Sequence, residues 1–89
     1  MVSQDVEIIN RLGVHARAAA QLVKLTTQFQ SKVFIKKNGQ SANAKTIMDV
    51  LMLAATQGTQ ITIESTGEDE HEALDAIVKL IARRFHESE

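Results

Sequence analysis

A histidine and an arginine stand at the start of a predicted helix, in the sequence Gly13-Val14-His15-Ala16-Arg17. The first turn of a helix has backbone N–H groups without intrahelical partners, and the peptide dipoles add partial positive charge there, so this position favours an anion. Arg17 can add a planar, bidentate donor for a phosphate group. A neutral His15 ring can supply a nucleophilic nitrogen, and the helix end and Arg17 both disfavour the protonated ring. The spacing therefore predicts a site for a phosphoryl group.

The same spacing has a simpler interpretation. A histidine just before a helix is often a capping or loop residue, and an alanine-rich stretch such as residues 18–20 is a good helix former that allows close packing on a sheet. The local pattern leaves these two interpretations of His15 open.

Three longer segments carry a resemblance to a known family. They are GVHARAAAQLVKL (residues 13–25), NAKTIMDVLMLAATQGTQITI (43–63) and TGEDEHEALDAIVKLI (66–81). Together they resemble HPr, the histidine-containing phosphocarrier of the bacterial phosphotransferase system, including its nitrogen-branch relatives. The resemblance implies that His15 accepts a phosphoryl group on Nδ1 from phosphorylated Enzyme I and donates it to a histidine of an Enzyme IIA-type protein.

The resemblance also implies roles for residues around His15. Arg17 and the backbone N–H groups of Ala16, Arg17 and Ala18 are the candidates for binding the phosphoryl group. Many family members have proline where this chain has Ala18, and the chain contains no proline. At the third position of a helix the backbone N–H has no intrahelical partner, so we expect alanine to tune phosphotransfer rather than abolish it.

Thr46 precedes a second predicted helix, and its first expected role is to cap that helix, with Asp49 completing a variant of the capping box. In many HPr proteins the equivalent position is a serine phosphorylated by a dedicated kinase. The segment Ala44-Lys45-Thr46-Ile47-Met48 resembles that regulatory segment, with threonine in place of serine, so HPr kinase/phosphorylase is a candidate partner.

A docking surface for partner proteins is expected around the site. The helix that follows Thr46 is apolar almost all round, so it is either deeply buried or partly presented to a partner. The predicted docking residues are Ala20, Gln21, Lys24, Ile47, Met48, Leu51 and Met52. Some of the last four must belong to the core instead.

The composition fits a small carrier and excludes other classes. The 89 residues predict one domain, residues 1–89, with a net charge of −1, no cysteine and no basic block or aromatic-rich surface for nucleic acid. No apolar run is long enough to cross a bilayer, so we expect a cytoplasmic protein and, by default, a monomer. The acidic residues near Glu68 and Glu70 are expected at a helix start, which predicts no metal site, and no nucleotide-binding or cofactor motif is present.

The periodicity predicts the element order βαββαβα, an α+β domain with one antiparallel sheet. Strands are predicted over 6–9, 32–36, 41–44 and 60–65, with a hairpin turn at Asn38-Gly39. Helices are predicted from His15, from Thr46 to Ala54, and from Asp69, where Glu72 would complete a capping box. The predicted core stripes contain Ala19, Leu22, Val23 and Phe29 on the first helix and Leu74, Ile77, Val78, Ile81 and Phe85 on the last. The resemblance implies the HPr-like open-faced β-sandwich, with four strands and all three helices on one face.

Two other function classes stay open. One is a non-catalytic regulatory module that binds a protein through the surface of residues 46–54. The other is a small hydrolase with His15 as general base, although no nucleophile or orienting carboxylate lies beside His15 in the sequence. The sequence does not distinguish a sugar-transport branch from a nitrogen or regulatory branch.

Overall fold

The computed structural model describes residues 1–88 and has the predicted element order βαββαβα. Glu89, the last residue of the predicted domain, lies outside the described residues. The elements are β1 (Val2–Glu7), α1 (Ala16–Thr26), β2 (Lys32–Lys37), β3 (Gln40–Asn43), α2 (Ile47–Met52), β4 (Gln60–Thr66) and α3 (Glu70–Ala82).

The four strands form one antiparallel sheet in the order β1-β4-β2-β3. Ile35 of β2 lies opposite Ile63 of β4, and both are buried, as are Val33 and the alternate residues of β4. The neighbouring Phe34 and Lys36 point to the opposite, exposed face. This period of two places one face of the sheet against the helices and leaves the other open, which confirms the predicted open-faced sandwich.

The β2–β3 hairpin turns at the predicted dipeptide. Asn38 has φ 48° and Gly39 has φ 83°, both in the left-handed region that tight hairpin turns require. The turn fixes the register in which Ile35 pairs with the buried Ala42. The β1–β4 and β2–β4 pairings join strands that are distant in sequence, so no turn signal predicts them.

Helices α1 and α3 each cover the sheet with one buried stripe. Ala19 and Leu22 of α1 and Ile77 and Ile81 of α3 are buried, as predicted. Val23, Leu74 and Val78 are only half-buried and pack against this core. The prediction for Phe29 was wrong in part, because α1 ends at Thr26 and Phe29 packs on the core from the following loop.

Several predicted boundaries and caps were wrong. β1 begins at Val2, four residues before its predicted start, because its pairing with β4 rather than its own apolar content defines it. Helix α2 ends at Met52 and is followed by Ala54 in the left-handed region. The Thr46 side chain makes no capping hydrogen bond, and the Asp49 carboxylate instead accepts one from the Asn43 N–H at 3.4 Å.

At the start of α3 the predicted capping box is absent. Asp69 is the N-cap residue, but its carboxylate accepts hydrogen bonds from the N–H groups of Gln30 and Ser31, each at 2.9 Å. The Gly67 N–H is bound by Glu70, not by Glu72. Asp69 therefore connects the α1–β2 loop to α3, and three donors hold the pKa of its carboxyl at about 2, Ser31 Oγ contributing most.

After α3 the backbone changes from the right-handed to the left-handed helical conformation. Arg84, Phe85 and His86 have φ values of 55°, 53° and 64°, and we call these residues the C-terminal turn. The prediction that Phe85 lies on helix α3 was wrong, because α3 ends at Ala82. The Phe85 side chain is nevertheless buried as expected, at 1 % exposure. The turn directs the next residues back toward the N-terminus of α1.

Candidate functional site

The loop before α1 is held against the segment that follows α2. Gly13 has φ 68°, and a Cβ there would lie only 2.6 Å from the carbonyl oxygen of Ala55. The Val14 N–H donates to that same oxygen at 2.8 Å. Only glycine fits this conformation and this approach, so Gly13 fixes where the following histidine enters the helix.

His15 is the N-cap residue of α1, as predicted. Its backbone is extended, and its Nδ1 accepts a hydrogen bond from the Arg17 N–H at 3.2 Å. The His15 carbonyl accepts the first intrahelical bond, from Ala19 at 2.8 Å. Among residues 1–88, no hydrogen bond engages the N–H of Ala16 or Ala18. Ala16 is exposed, so its N–H is an unused donor beside the ring, whereas the N–H of Ala18 belongs to a fully buried residue.

The other ring nitrogen of His15 contacts a carboxylate. Nε2 is hydrogen-bonded to Oε2 of Glu87, which lies 72 residues later in the chain. Oε1 of Glu87 accepts a hydrogen bond from Nδ2 of Asn10 at 3.0 Å. The hydrogen bond from His15 lowers the pKa of Glu87, and Asn10 and the charge of Arg17 add to the shift while partial burial opposes it.

Sequence reasoning missed both Glu87 and Asn10. We expected no orienting carboxylate beside His15, and that prediction holds only for its sequence neighbours. Asn10 is fully buried, and its Nδ2 also donates to the Gly13 carbonyl at 2.7 Å. Because the C-terminal turn brings Glu87 to the site, no local pattern around residue 87 indicates its partner.

A surface pocket of about 490 Å³ lies against Glu87, the carboxylate that contacts the ring. Arg17 and Glu87 line it together with Arg11 and Gln21. Arg17 is exposed, so its guanidinium can reach an anion that approaches α1 from this side. The pocket therefore combines two arginine side chains with the Glu87 carboxylate near the N-terminal end of α1.

The structure divides the predicted docking residues between surface and core. Ala20 and Lys24 are exposed, and Gln21 is half-buried. On α2, Met48 and Met52 are 65 % and 74 % exposed and Ile47 is 40 % exposed, so these three form what we call the α2 patch. Leu51 packs on the core instead. The exposed Leu12, which the sequence prediction did not include, adds an apolar side chain in the loop before His15.

Thr46 is exposed immediately before this patch. Because its side chain caps nothing, the hydroxyl is available to another molecule. Among residues 1–88, no helix is long and apolar enough to span a membrane.

The fold and the site define a class: an open-faced α+β sandwich whose first helix is capped by a half-exposed histidine. The family model for the PTS HPr component phosphorylation site matches residues 2–83. The phosphocarrier protein HPr of Cupriavidus necator is 51 % identical over 89 residues, covering all of both chains. The chain therefore belongs to the HPr family of phosphocarrier proteins of the phosphotransferase system.

Solved structures give the same result. The crystal structure of HPr-C-His from Thermoanaerobacter tengcongensis superposes with a TM-score of 0.96, at 37 % identity over all of both chains. The crystal structure of Crh, a catabolite repression protein of Bacillus subtilis, matches with a TM-score of 0.76 at 40 % identity, covering 94 % of this chain and 97 % of Crh. That Crh structure is described as an intertwined, swapped dimer.

Proposed function

We propose that this protein carries a phosphoryl group on Nδ1 of His15, taken from phosphorylated Enzyme I and passed to an Enzyme IIA-type protein. The observation that carries the proposal is the capping bond from the Arg17 N–H to Nδ1. A nitrogen that accepts a hydrogen bond holds a lone pair, and that lone pair is what attacks phosphorus. Membership of the HPr family supports the same assignment.

In the forward step, the Nδ1 lone pair forms a bond to phosphorus. The P–N bond of the donor phosphohistidine breaks, and its electron pair returns to the donor nitrogen. The proton on Nε2 of His15 does not have to move. The reverse sequence of bonds passes the group to the next histidine, so the chemistry requires mainly an in-line approach of the two rings.

The phosphoryl oxygens need donors, and α1 has them. The N–H groups of Ala16 and Ala18 are unused, and that of Arg17 is released when Nδ1 bonds to phosphorus. The Arg17 guanidinium adds a charged donor from the pocket side. Ala18 lies at the third helical position and the whole residue is buried, so the exposed Ala16 is the more accessible of the two unused donors.

The partners dock on the face that surrounds His15. Ala20, Gln21 and Lys24 contribute polar and small side chains, and the α2 patch contributes apolar area. A carrier must release each partner quickly, and a small, partly polar interface suits that purpose. The protein works as a monomer in the cytoplasm, the compartment in which Enzyme I and phosphoenolpyruvate are found.

Thr46 is a second, regulatory phosphorylation site for an HPr kinase/phosphorylase. Its exposed hydroxyl is free of capping bonds, and a phosphate there would place about −1.5 to −2 charges next to the α2 patch. Incubation with an HPr kinase and ATP, followed by mapping of the phosphosite, tests this role. We expect modification at Thr46 and none in Thr46→Val; an unmodified Thr46 would rule the role out.

The main test is intact-mass spectrometry after incubation with Enzyme I and phosphoenolpyruvate. We expect one acid-labile phosphoryl group on the native protein and on His71→Ala, an exposed-histidine control, and none on His15→Ala. The phosphorylated protein should then lose the group to an Enzyme IIA-type protein.

The two rival functions give different results. A regulatory module keeps its partners in His15→Ala and takes up no phosphate when Enzyme I is shown to be active on another HPr. A hydrolase needs a nucleophile next to the base, but within residues 1–88 the His15 ring nitrogens bond only to the Arg17 N–H and to Glu87. In this described part of the chain, no serine or threonine hydroxyl is hydrogen-bonded to the His15 ring for it to activate.

A further inference from the structure

The two ring nitrogens of His15 have partners of opposite chemistry. The Arg17 N–H can only donate, so Nδ1 must accept and carries no proton. The Glu87 carboxylate can only accept when ionised, so Nε2 must donate its proton. Both partners therefore select the same neutral tautomer, with the proton on Nε2.

The carboxylate is itself held in place by Asn10. Nδ2 of Asn10 donates both to Oε1 of Glu87 and to the carbonyl of Gly13. Since a backbone carbonyl can only accept, the Asn10 amide cannot turn its oxygen toward Gly13 without losing that bond. Asn10 is fully buried and its Oδ1 has no hydrogen-bond partner among residues 1–88, so the two bonds from Nδ2 set the orientation of the amide.

The backbone is conformationally unfavourable where it delivers Glu87. Three successive non-glycine residues lie in the left-handed region, which is unfavourable because Cβ approaches the following carbonyl oxygen. Burial of Phe85 in the middle of the turn opposes that cost and anchors it. The C-terminal turn places a carboxylate against the ring, whereas a continuing α3 would carry the chain away from α1.

We propose that Glu87, oriented by Asn10, is a positioning residue that keeps the proton of His15 on Nε2 and so keeps the Nδ1 lone pair available for the phosphoryl group. This inference rests on the proposed carrier function. As the Nδ1–P bond forms, the ring becomes more positive, and the carboxylate on Nε2 stabilises that charge. The arrangement resembles the way an acidic residue holds the tautomer of a catalytic histidine in hydrolase triads.

The Glu87→Gln substitution tests the proposal most directly. In this variant Nδ2 of Asn10 will donate to the carbonyl oxygen of the introduced glutamine amide. The NH₂ group of that glutamine will then face Nε2 of His15. Nε2 must then accept, which moves the proton to Nδ1 and blocks the nucleophile. In Glu87→Ala no group opposes the Nε2–H tautomer, and the Arg17 N–H still favours it.

The first readout is the pair of ¹⁵N chemical shifts of the His15 ring, which report the nitrogen that carries the proton. We expect the proton on Nε2 in the native protein and in Glu68→Gln, an exposed-glutamate control. In Glu87→Gln we expect it mainly on Nδ1. A native protein with the proton on Nδ1, or Glu87→Gln with native shifts, would overturn the proposal.

The second readout is the rate of phosphorylation by Enzyme I. If the competent tautomer falls to about a tenth of the population, the rate falls about tenfold. We expect the order native, then Glu87→Ala, then Glu87→Gln. A packing role predicts the reverse order for the two variants, because glutamine has the shape of glutamate, so that reverse order would contradict the proposal.

The two readouts separate this inference from the carrier function. If the native protein accepts no phosphate, the proposed function fails, and the ¹⁵N shifts still decide whether Glu87 sets the tautomer. If the native protein is phosphorylated but the three rates are equal, only the role of Glu87 fails.

Discussion

Histidine is an uncommon N-cap residue, since serine, threonine, aspartate and asparagine are preferred there. In the proposed carrier function a cap on His15 has a chemical consequence, because the Arg17 N–H occupies the lone pair that phosphorylation of Nδ1 would need. The hydrogen bond must break as the Nδ1–P bond forms, and the same N–H can then donate to a phosphoryl oxygen. The unphosphorylated ring is thus held in position by a donor that the phosphorylated state can reuse.

Arg17→Lys tests how much the planar guanidinium contributes at the residue scale. Lysine keeps the charge but loses the two-pronged geometry, and one hydrogen bond to a charged group is worth about 1.5–3 kcal/mol. Because lysine retains part of that energy, we expect phosphorylation by Enzyme I to slow about tenfold. The measurement is the initial rate of phosphoryl uptake.

Arg83→Lys is the matched control, since Arg83 is exposed at the end of α3. It should be phosphorylated at the native rate. Equal rates for Arg17→Lys and the native protein would mean that the guanidinium geometry plays no part.

The sequence was informative about some residues and silent about others. Local spacing determines a helix start. It could therefore predict that His15 is the N-cap residue and that Arg17 lies in the first turn. The contact of Glu87 with His15 could not be predicted, because it depends on a left-handed turn at residues 84–86. None of these three residues is a glycine. Glycine is the usual signal for such a turn, and here tertiary packing of Phe85 replaces it.

At the scale of elements, Asp69 has the residue type and the position of a helix cap, but its side chain connects two segments of the chain. Its type and position predicted a helix cap, yet its carboxylate collects three donors from the α1–β2 loop. A cap satisfies the start of one helix, whereas this clamp of three hydrogen bonds connects the α1–β2 loop to the start of α3. The competing donors lie 38 and 39 residues away, so the sequence alone could not show them.

Asp69→Asn should change the acid stability of the protein. The pKa of Asp69 is about 2, against 3.8 for a free carboxyl, so the unfolded chain binds its proton first as the pH falls. The stabilisation is complete above about pH 4 and is lost as the pH falls toward about 2. The free energy of unfolding, measured with urea from pH 6 to pH 2, should therefore fall less steeply in Asp69→Asn.

The variant should also be less stable than the native protein at neutral pH, because an amide has one acceptor for three donors. Asp75→Asn is the control, since Asp75 forms an exposed pair with Lys79 at 2.9 Å. If the free energy of unfolding fell equally steeply toward pH 2 in the native protein and in Asp69→Asn, the stabilising role of the Asp69 carboxylate would be contradicted.

The short helix α2 combines a core side and an exposed side. Replacing Met48 and Met52 together by serine should leave the fold intact, because both side chains are largely exposed. Each methionine buried against a partner is worth about 1.5–3 kcal/mol, so we expect the Kd for Enzyme I to rise at least tenfold. Calorimetric titration measures this affinity.

Phe34→Thr is the control for the loss of exposed apolar area. Phe34 lies on the open face of the sheet, and threonine keeps its strand propensity. This variant should bind Enzyme I as the native protein does. Weaker binding by Phe34→Thr and native binding by the methionine variant would place the docking surface on the sheet.

At the scale of the whole molecule, we propose that residues 1–89 unfold as one unit and that the protein is a monomer. Calorimetry should show a single transition with an enthalpy of roughly 60 kcal/mol near 60 °C, equal to the van't Hoff value. The midpoint should not depend on protein concentration, because dimerisation would make it rise with concentration. A concentration-dependent midpoint would indicate a dimer, the state described for Crh.

The strand order also bears on how the chain is assembled during synthesis. The β2–β3 hairpin can close as soon as residue 43 is made, but β1 has no partner until β4 follows about 60 residues behind it. His15 meets Glu87 later still. A nascent or arrested chain would thus display the histidine without its carboxylate. If His15 and Glu87 have the roles proposed above, such a chain accepts the phosphoryl group more slowly than a folded one.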